Sequence, residues 1–224
     1  MSGGGAPGRV VAIDGPSGSG KSTVARAVAD DLGLEVLDTG AMYRAVTQAA
    51  LERGIDLTDG DALGVLASTL AIDVDDSVRL DGRDVTAVIR GPEVTAAVST
   101  VAAHPQVRAV LVARQRAWAE TRGGGVVEGR DIGTVVFPDA ALKIFLTASE
   151  GERARRRQRD EVAAARTTDL SAVAGDLARR DRLDSGRAAS PLVAADDAVV
   201  VDTTAMGKDA VVVHVVALAR AALG

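Results

Sequence analysis

Short apolar runs alternate along the chain with longer segments in which apolar residues recur every three or four positions. The short runs are typical of buried strands, and the longer segments are typical of amphipathic helices. Strands that alternate with helices form a parallel sheet covered on both faces, so the pattern predicts an α/β fold with a five-stranded parallel sheet. The predicted strands are residues 10–13, 35–38, 126–128, 142–147 and 198–202. The predicted helices are residues 21–32, 41–53, 58–70, 92–102, 105–121, 149–159, 167–183 and 208–223.

One segment departs from this alternation. Residues 71–85 change from the helical period to an alternation of apolar and polar residues, with turn residues at Asp75-Asp76 and Asp81-Gly82. This pattern predicts a small antiparallel meander. An antiparallel patch within a chain of parallel strands indicates an inserted subdomain, which we place at about residues 58–102. The remainder of residues 9–224 is expected to form a single domain.

Composition narrows the range of functions. The chain has 224 residues, of which 47% are hydrophobic and 25% charged, as in ordinary soluble domains. It has no Cys, which excludes disulfides and Cys-ligated zinc. Its net charge of −5 argues against a general role on nucleic acid or a membrane surface. No apolar run approaches the length of a membrane span and the start lacks a secretory signal, so we expect a cytoplasmic protein whose residues 1–8 form a disordered tail.

A glycine-rich loop joins the first predicted strand to the first predicted helix. It contains Gly15-x4-Gly20-Lys21-Ser22, the phosphate-binding P-loop pattern. Glycines let backbone N–H groups converge on phosphate oxygens, and the following helix N-terminus favours an anion. Lys21 is expected to reach the β- and γ-phosphates, and the Ser22 hydroxyl to hold Mg²⁺. The alternative, a Gly/Ser-rich turn with an accidental Lys, is disfavoured by the flanking strand and helix. The predicted residues of the ATP site are Gly15, Pro16, Ser17, Gly18, Ser19, Gly20, Lys21, Ser22 and Thr23.

Further polar residues follow other predicted strands. In open α/β sheets, ligands bind beyond the carboxyl ends of the strands. Asp14 ends the first strand, Asp38 and Thr39 follow the second, and residues 128–131 follow the third. Each could be only a turn or capping residue, because Asp favours turns for local reasons. Several such groups around one P-loop favour a functional site.

Arginine provides a second signal. Only three of the 26 basic residues are Lys, which leaves 23 Arg in an acidic protein. The planar guanidinium suits bidentate contact with phosphate. Arg130 lies at a strand end that is expected to face the nucleotide, whereas Arg153 and Arg157 belong to a run on the helix at 149–159. That run is either a solvated helix face or a lid, at about residues 150–168, whose arginines close on the phosphates.

Four sequence blocks resemble bacterial cytidylate kinases. They cover nearly the whole chain from Val10 onward and occur in the order of that family. The resemblance implies a P-loop kinase fold in which the insertion at 58–102 helps to bind a nucleoside monophosphate. It also implies transfer of the γ-phosphoryl group of ATP to CMP or dCMP. The blocks are IDGPSGSGKST, LDTGAMYRA at 37–45, EGRDIGTVVFPDA at 128–140 and RRDRLDSGRAASPL at 179–192.

The resemblance also implies roles for individual residues. Those implied for the CMP phosphate are Thr39, Arg44 and Arg130; those for the cytosine edge are Ser99, Arg108, Asp131 and Arg187; those for the pentose hydroxyls are Arg180 and Asp184. Glu128 belongs to the same CMP site. Thr39 stands where the family commonly has Ser, Glu128 where it commonly has Asp, and Leu183 where it often has a polar residue. The expected catalytic residues are Lys21, Arg130, Arg153 and Arg157.

The expected reaction is an in-line transfer that needs no strong general base, because the acceptor phosphate is already anionic. The expected partners are ATP with Mg²⁺ and CMP or dCMP, with no nucleic acid and no membrane, and the protein is expected to be a monomer. The nearest alternative is a P-loop kinase for UMP, AMP or shikimate. A GTPase switch is disfavoured because the chain has no Asn for a guanine-binding element. A non-catalytic ATP-binding module is the third alternative, and the intact Lys21 and Ser22 argue against it.

Overall fold

The computed structural model describes residues 9–163, 169–187 and 190–224. The predicted tail at 1–8 and residues 164–168 of the predicted lid lie outside these ranges. The strands are β1 (Val10–Asp14), β2 (Val36–Asp38), β3 (Ile72–Val74), β4 (Val78–Leu80), β5 (Arg83–Asp84), β6 (Gly125–Gly129), β7 (Leu142–Thr147) and β8 (Val199–Asp202). The helices are α1 (Lys21–Leu32), α2 (Thr39–Glu52), α3 (Gly60–Thr69), α4 (Pro92–Val101), α5 (Pro105–Arg122), α6 (Glu150–Ala163), α7 (Leu170–Ser185) and α8 (Lys208–Leu223).

Five strands form one parallel sheet in the order β2-β6-β1-β7-β8. Strand β1 lies at its centre, where Asp14 is opposite Gly129 of β6 and Phe145 of β7. The carboxyl ends of β1, β2 and β6 therefore meet at one edge of the sheet. The predicted fold class, an α/β fold with a five-stranded parallel sheet, is confirmed.

Both faces of β1 are buried, which explains its continuous apolar sequence. Val11 and Ile13 belong to the core that contains α1 and α8, whereas Val10 and Ala12 belong to the larger core that contains α2, α3 and α5. All five residues of the strand are buried. The P-loop that follows β1 thus begins from a strand fixed on both faces and along both edges.

A second sheet interrupts the parallel pattern. Strands β3, β4 and β5 pair antiparallel in sequence order, which confirms the predicted meander. The short 3-10 turn at Val88–Arg90 and helix α4 follow it, and both pack against α2. This arrangement brings α4 beside the start of α2, which follows the carboxyl end of β2.

Two local features differ from the sequence-based expectation. Residues Ile132–Val136 form a π-helical turn that the sequence pattern did not predict. The carboxylate of Asp14 accepts hydrogen bonds from the backbone N–H groups of Ile132 and Gly133. Asp14 precedes these residues by 118 and 119 positions, so the local sequence does not indicate the contact. Helix α6 also extends past the predicted end at 159, to Ala163. None of the helices described here is long and apolar enough to cross a lipid bilayer.

Alanine substitutions at two glycines test the packing of these elements. Gly125 has φ of +154°, and a Cβ there would lie 2.5 Å from the Trp118 ring. We expect Gly125→Ala to destabilise the protein by about 1–3 kcal/mol, because neither the ring nor the backbone of β6 can move freely. Gly175 lies inside α7 with open space around it, so Gly175→Ala is expected to stabilise the helix by about 0.5–1 kcal/mol. Urea unfolding measures both, and equal effects of the two changes would contradict the assignment.

Candidate functional site

A polar cavity of about 260 Å³ lies at the carboxyl ends of β1, β2 and β6. Its walls come from the P-loop, the start of α2, helices α4 and α5, the loop after β6, and helices α6 and α7. Eight basic and five acidic side chains of the described residues line it, so the cavity is locally cationic although the chain is acidic overall. The basic residues are Lys21, Arg44, Arg90, Arg108, Arg130, Arg157, Arg180 and Arg187.

Glycine geometry shapes the P-loop wall. Gly15 has φ of +145°, and a Cβ there would overlap the carbonyl oxygen of Leu146. Gly20 is left-handed, with φ of +99°, directly before the first residue of α1. Only glycine fits both positions, so the loop can turn sharply and present the first N–H groups of α1 to the cavity. Such a helix start is an anion-binding site.

Lys21 is buried at this helix start. Its Nζ donates to the carbonyl oxygen of Pro16 at 2.8 Å. Burial, together with repulsion from Arg130, lowers the pKa of Lys21 to about 7, and the nearby carboxylates oppose this shift only in part. An anionic ligand in the cavity would favour the charged form of this lysine.

Ser22 and Glu128 bring two oxygen donors together. The Ser22 hydroxyl donates to Glu128 Oε2 at 2.9 Å. Burial and the neighbouring Asp38 carboxylate raise the pKa of Glu128 to about 7. Hydroxyl and carboxylate oxygens are the hard ligands that Mg²⁺ prefers, so these residues fit that ion. No cluster of three or more His, Asp or Glu suited to a metal occurs in the described ranges, so phosphate oxygens and water would have to complete the coordination.

Thr39 and Arg44 form the wall at the start of α2. The Thr39 hydroxyl donates to the carbonyl oxygen of Glu128 at 2.7 Å. Arg44 donates to the carbonyl oxygen of Ile89 and to the Thr95 hydroxyl, both at 2.9 Å. Burial and the charge of neighbouring arginines lower the pKa of Arg44 to about 9, and its guanidinium remains protonated at neutral pH. Arg44 therefore links α2 to the 3-10 turn and to α4, and it adds charge to the cavity.

The carboxylate of Asp184, on α7, is buried and accepts hydrogen bonds from three side chains. It accepts hydrogen bonds from Arg130 Nε at 3.0 Å, from the Ser99 hydroxyl at 3.1 Å and from Arg187. Burial opposes its ionisation, but the Arg130 and Arg187 charges outweigh burial and the pKa of Asp184 is lowered. The residues predicted to bind the base and those predicted to bind the sugar thus share one hydrogen-bond network.

Arg108 and Asp131 form a second buried pair, in which each side chain is only 6% exposed. The guanidinium carbon of Arg108 also lies 5.8 Å from the centre of the Tyr43 ring. Burial raises the pKa of Asp131, although Arg108 and Arg187 oppose the shift. The cavity floor consequently presents a carboxylate and a guanidinium side by side.

The structure brings together most of the predicted site residues. Every residue predicted from the resemblance to hold CMP lines the cavity. Arg157 does so too, whereas Arg153 is not among the lining residues: it contacts the Ser17 carbonyl oxygen at 3.3 Å and Asp181 at 2.5 Å. Three predicted P-loop residues do not line the cavity: Gly15, Pro16 and Ser19.

Three polar or charged side chains of the lining were not predicted from the sequence, and neither were the small or apolar residues Gly40, Val98 and Ala102. Tyr43 lies within a recognised sequence block but had no assigned role. Asp160 lies on α6, where the many charged residues gave no reason to single it out. Arg90 ends the 3-10 turn and contacts Asp38 Oδ2 at 3.3 Å. The residues of this last pair are 52 positions apart, so only the fold brings them together.

Comparison with known proteins gives consistent similarities. The model of the cytidylate kinase family matches residues 11–221. A cytidylate kinase from Mycobacterium avium (strain 104) is 54% identical over 216 residues, covering 94% of this chain and 95% of that protein. One from Corynebacterium glutamicum is 52% identical over 221 residues, covering 96% of each. A solved gluconokinase from Sinorhizobium meliloti 1021 has a TM-score of 0.51 at 19% identity, over 97% of this chain and 95% of that one, which is a likeness of fold.

The lowered pKa of Lys21 predicts that a proton is taken up when a nucleotide binds. With a pKa of about 7, Lys21 is mostly neutral at about pH 8, and a bound triphosphate raises its pKa. We therefore expect Lys21 to take up a proton when ATP binds without a divalent ion at about pH 8. Free ATP is itself ionised at this pH. Calorimetry in two buffers of different ionisation enthalpy measures the uptake. Lys21→Arg, whose guanidinium has a higher intrinsic pKa than an ammonium, should remove most of the uptake. An undiminished uptake in that variant would contradict the assignment.

Proposed function

The chain belongs to the cytidylate kinase family, and we propose that it transfers the γ-phosphoryl group of ATP to CMP or dCMP, giving ADP with CDP or dCDP. One observation carries the proposal beyond family membership. A single cationic cavity joins the P-loop to a wall that presents Asp131, Arg108 and Ser99. Two anionic substrates can therefore meet end to end at the carboxyl edge of the sheet.

We assign the donor site to the P-loop. Backbone N–H groups of residues 15–23 and the Lys21 ammonium would hold the ATP phosphates. Ser22, with Glu128 beside it, would hold Mg²⁺ together with phosphate oxygens and water. When bound, this ion neutralises charge on the β- and γ-phosphates.

We assign the acceptor site to the opposite wall. Arg44 and Arg130 would hold the CMP phosphate, with Thr39 next to them. Cytosine offers an N4 donor that a carboxylate can accept, and the N3 and O2 acceptors suit guanidinium groups. Asp131 and Arg108 present such groups side by side, with Ser99 and Arg187 in the same network. Arg180 and Asp184 are the proposed partners of the pentose hydroxyls.

The proposed catalysis consists of positioning and charge neutralisation. The acceptor phosphate oxygen is already anionic, so none of these side chains has to remove a proton. Lys21 and Arg130 would neutralise charge on the transferring group, and Arg157 of α6, which lines the same cavity, would add to it. Arg153 would reach that group only if α6 changed position, because its guanidinium is bound to the Ser17 carbonyl oxygen and Asp181.

We further propose a single domain over residues 9–224, in which residues 58–102 form the monophosphate-binding insertion and residues 150–168 the lid. We propose a monomer in the cytoplasm, with no nucleic-acid or membrane partner. The net charge of −5 supports the proposed absence of a nucleic-acid or membrane partner.

A panel of acceptors tests the proposed reaction. With ATP and Mg²⁺, we expect coupled-assay turnover with CMP and dCMP to exceed turnover with UMP or AMP by roughly two orders of magnitude or more, because the latter leave buried polar groups unpaired. Lys21→Ala, purified in parallel, should lose most of the activity and thereby exclude a contaminating kinase. Preferred turnover of UMP, AMP or shikimate would refute the assigned acceptor, and ATP binding without any transfer would favour a binding module.

Asp131 allows a sharper test of base recognition. Asp131→Asn keeps the shape of the side chain but replaces a carboxylate oxygen by an amide donor, which opposes the cytosine N4 group. We expect KM for CMP to rise by roughly tenfold or more while KM for ATP changes little. Initial rates with each substrate varied separately measure this split. Equal losses for both substrates would indicate general damage to the cavity instead.

A further inference from the structure

The Asp14 carboxylate connects the two loops that form the proposed donor and acceptor sites. Asp14 is the last residue of β1 and directly precedes the P-loop. Its Oδ1 accepts the N–H of Ile132, and its Oδ2 accepts the N–H of Gly133, each at 2.8 Å. These two residues directly follow Arg130 and Asp131. One side chain therefore bridges the donor loop and the acceptor loop with two charge-assisted hydrogen bonds.

Asp14 has no direct place in substrate binding. It is 5% exposed and is not among the residues that line the cavity. The backbone groups it accepts are the first N–H groups of the π-helical turn, which have no partner within the turn. A buried carboxylate that touches no ligand, yet satisfies the start of the acceptor loop, has the features of a positioning group.

Both ends of this bridge are tightly packed. Next to Asp14, a Cβ on Gly15 would overlap the Leu146 carbonyl oxygen. On the acceptor side, a Cβ on Gly129 would lie 2.7 Å from the Thr39 hydroxyl. Both backbones are closely packed against their own neighbours, and the two Asp14 hydrogen bonds link one loop directly to the other.

We propose that Asp14 is a positioning residue that fixes Arg130 and Asp131 relative to the P-loop, so that acceptor binding depends on its two backbone contacts. This inference rests on the proposed function, because it assigns the loop after β6 to the acceptor. The carboxylate is required, since the substitution Asp14→Asn would place an amide N–H against a backbone N–H and keep only one of the two bonds.

Ionisation of Asp14 supplies an independent readout. Burial raises its pKa to about 6, while the Gly133 and Ile132 N–H groups oppose the shift. The charged groups facing it are Asp131, which raises the pKa, and Lys21, which lowers it. Above about pH 6 the carboxylate accepts both hydrogen bonds, and below that pH a protonated oxygen opposes one N–H, as an amide would.

Asp14→Asn in the full chain tests the proposal against a matched control. Asp202 also ends a parallel strand and accepts a backbone N–H, from Thr204, but lies at the far edge of the sheet. We expect the dissociation constant for CMP to rise roughly tenfold in Asp14→Asn, that for ATP to change less than about threefold, and neither to change in Asp202→Asn. Calorimetric titrations with each nucleotide measure both constants. Unchanged CMP affinity, or equal losses for CMP and ATP, would overturn the proposal.

The pH dependence separates positioning from general packing. The ratio of CMP affinity between native protein and Asp14→Asn should fall towards one as the pH drops below about 6, because the protonated carboxyl then resembles the amide. Titration of the CMP phosphate cancels in this ratio. A ratio that stays constant with pH would overturn the positioning role. If Asp14→Asn does not fold, Asp14→Ser, which lacks the carboxylate and is smaller, replaces it in the CMP and ATP titrations at neutral pH. Native protein that binds CMP but does not phosphorylate it would refute the proposed function and leave this binding test intact.

Discussion

Repulsion among buried basic side chains is the constraint on which the site depends. Eight basic side chains of the described residues line one small cavity, and Lys21, Arg108 and Arg180 among them are buried. Burial, together with repulsion between neighbouring cations, lowers the pKa of Lys21, Arg44 and Arg180. The fold has to offset this cost with carboxylates at fixed positions. Asp184 serves Arg130 and Arg187, and Asp131 serves Arg108. The remaining excess of positive charge is what an anionic ligand can neutralise.

The sheet order determines which groups can meet. Because β1 lies between β6 and β7, the P-loop emerges beside the loop that carries Arg130 and Asp131. Strand β2 lies on the far side of β6 and delivers Thr39 and Arg44 at the start of α2. Local sequence thus provides charged residues at strand ends, and the parallel arrangement gathers them at one edge. Helices α4 and α7 complete the cavity from outside the sheet.

The sequence predicted best those elements whose structure depends on neighbouring residues along the chain. The period of apolar residues predicted the parallel sheet and the meander because burial on one or two faces dictates those patterns. It could not predict the π-helical turn at Ile132–Val136, since that turn depends on Asp14 in another strand. Asp14 was itself singled out as a candidate at a strand end, but its carboxylate bonds to backbone outside the cavity. Likewise, Arg153 and Arg157 look equivalent in sequence, and only the helix orientation places one behind the P-loop and the other in the cavity.

The different chemistry of lysine and arginine explains their division within the cavity. Arginine remains charged when it is buried, and its guanidinium can donate to two acceptors at once. Arg130, for example, donates to Asp184 and also lines the cavity. Lysine is a compact charge whose pKa responds strongly to burial. Lys21 is the one lysine among the lining residues described, it lies at the P-loop, and its ammonium is held by the Pro16 carbonyl oxygen. An arriving triphosphate can replace that contact with a neutral carbonyl oxygen, whereas displacing a guanidinium from a buried carboxylate would leave an unpaired charge. The lysine at the P-loop is therefore the cation most easily redirected to a ligand, whereas Arg108, Arg130 and Arg187 are already paired with carboxylates.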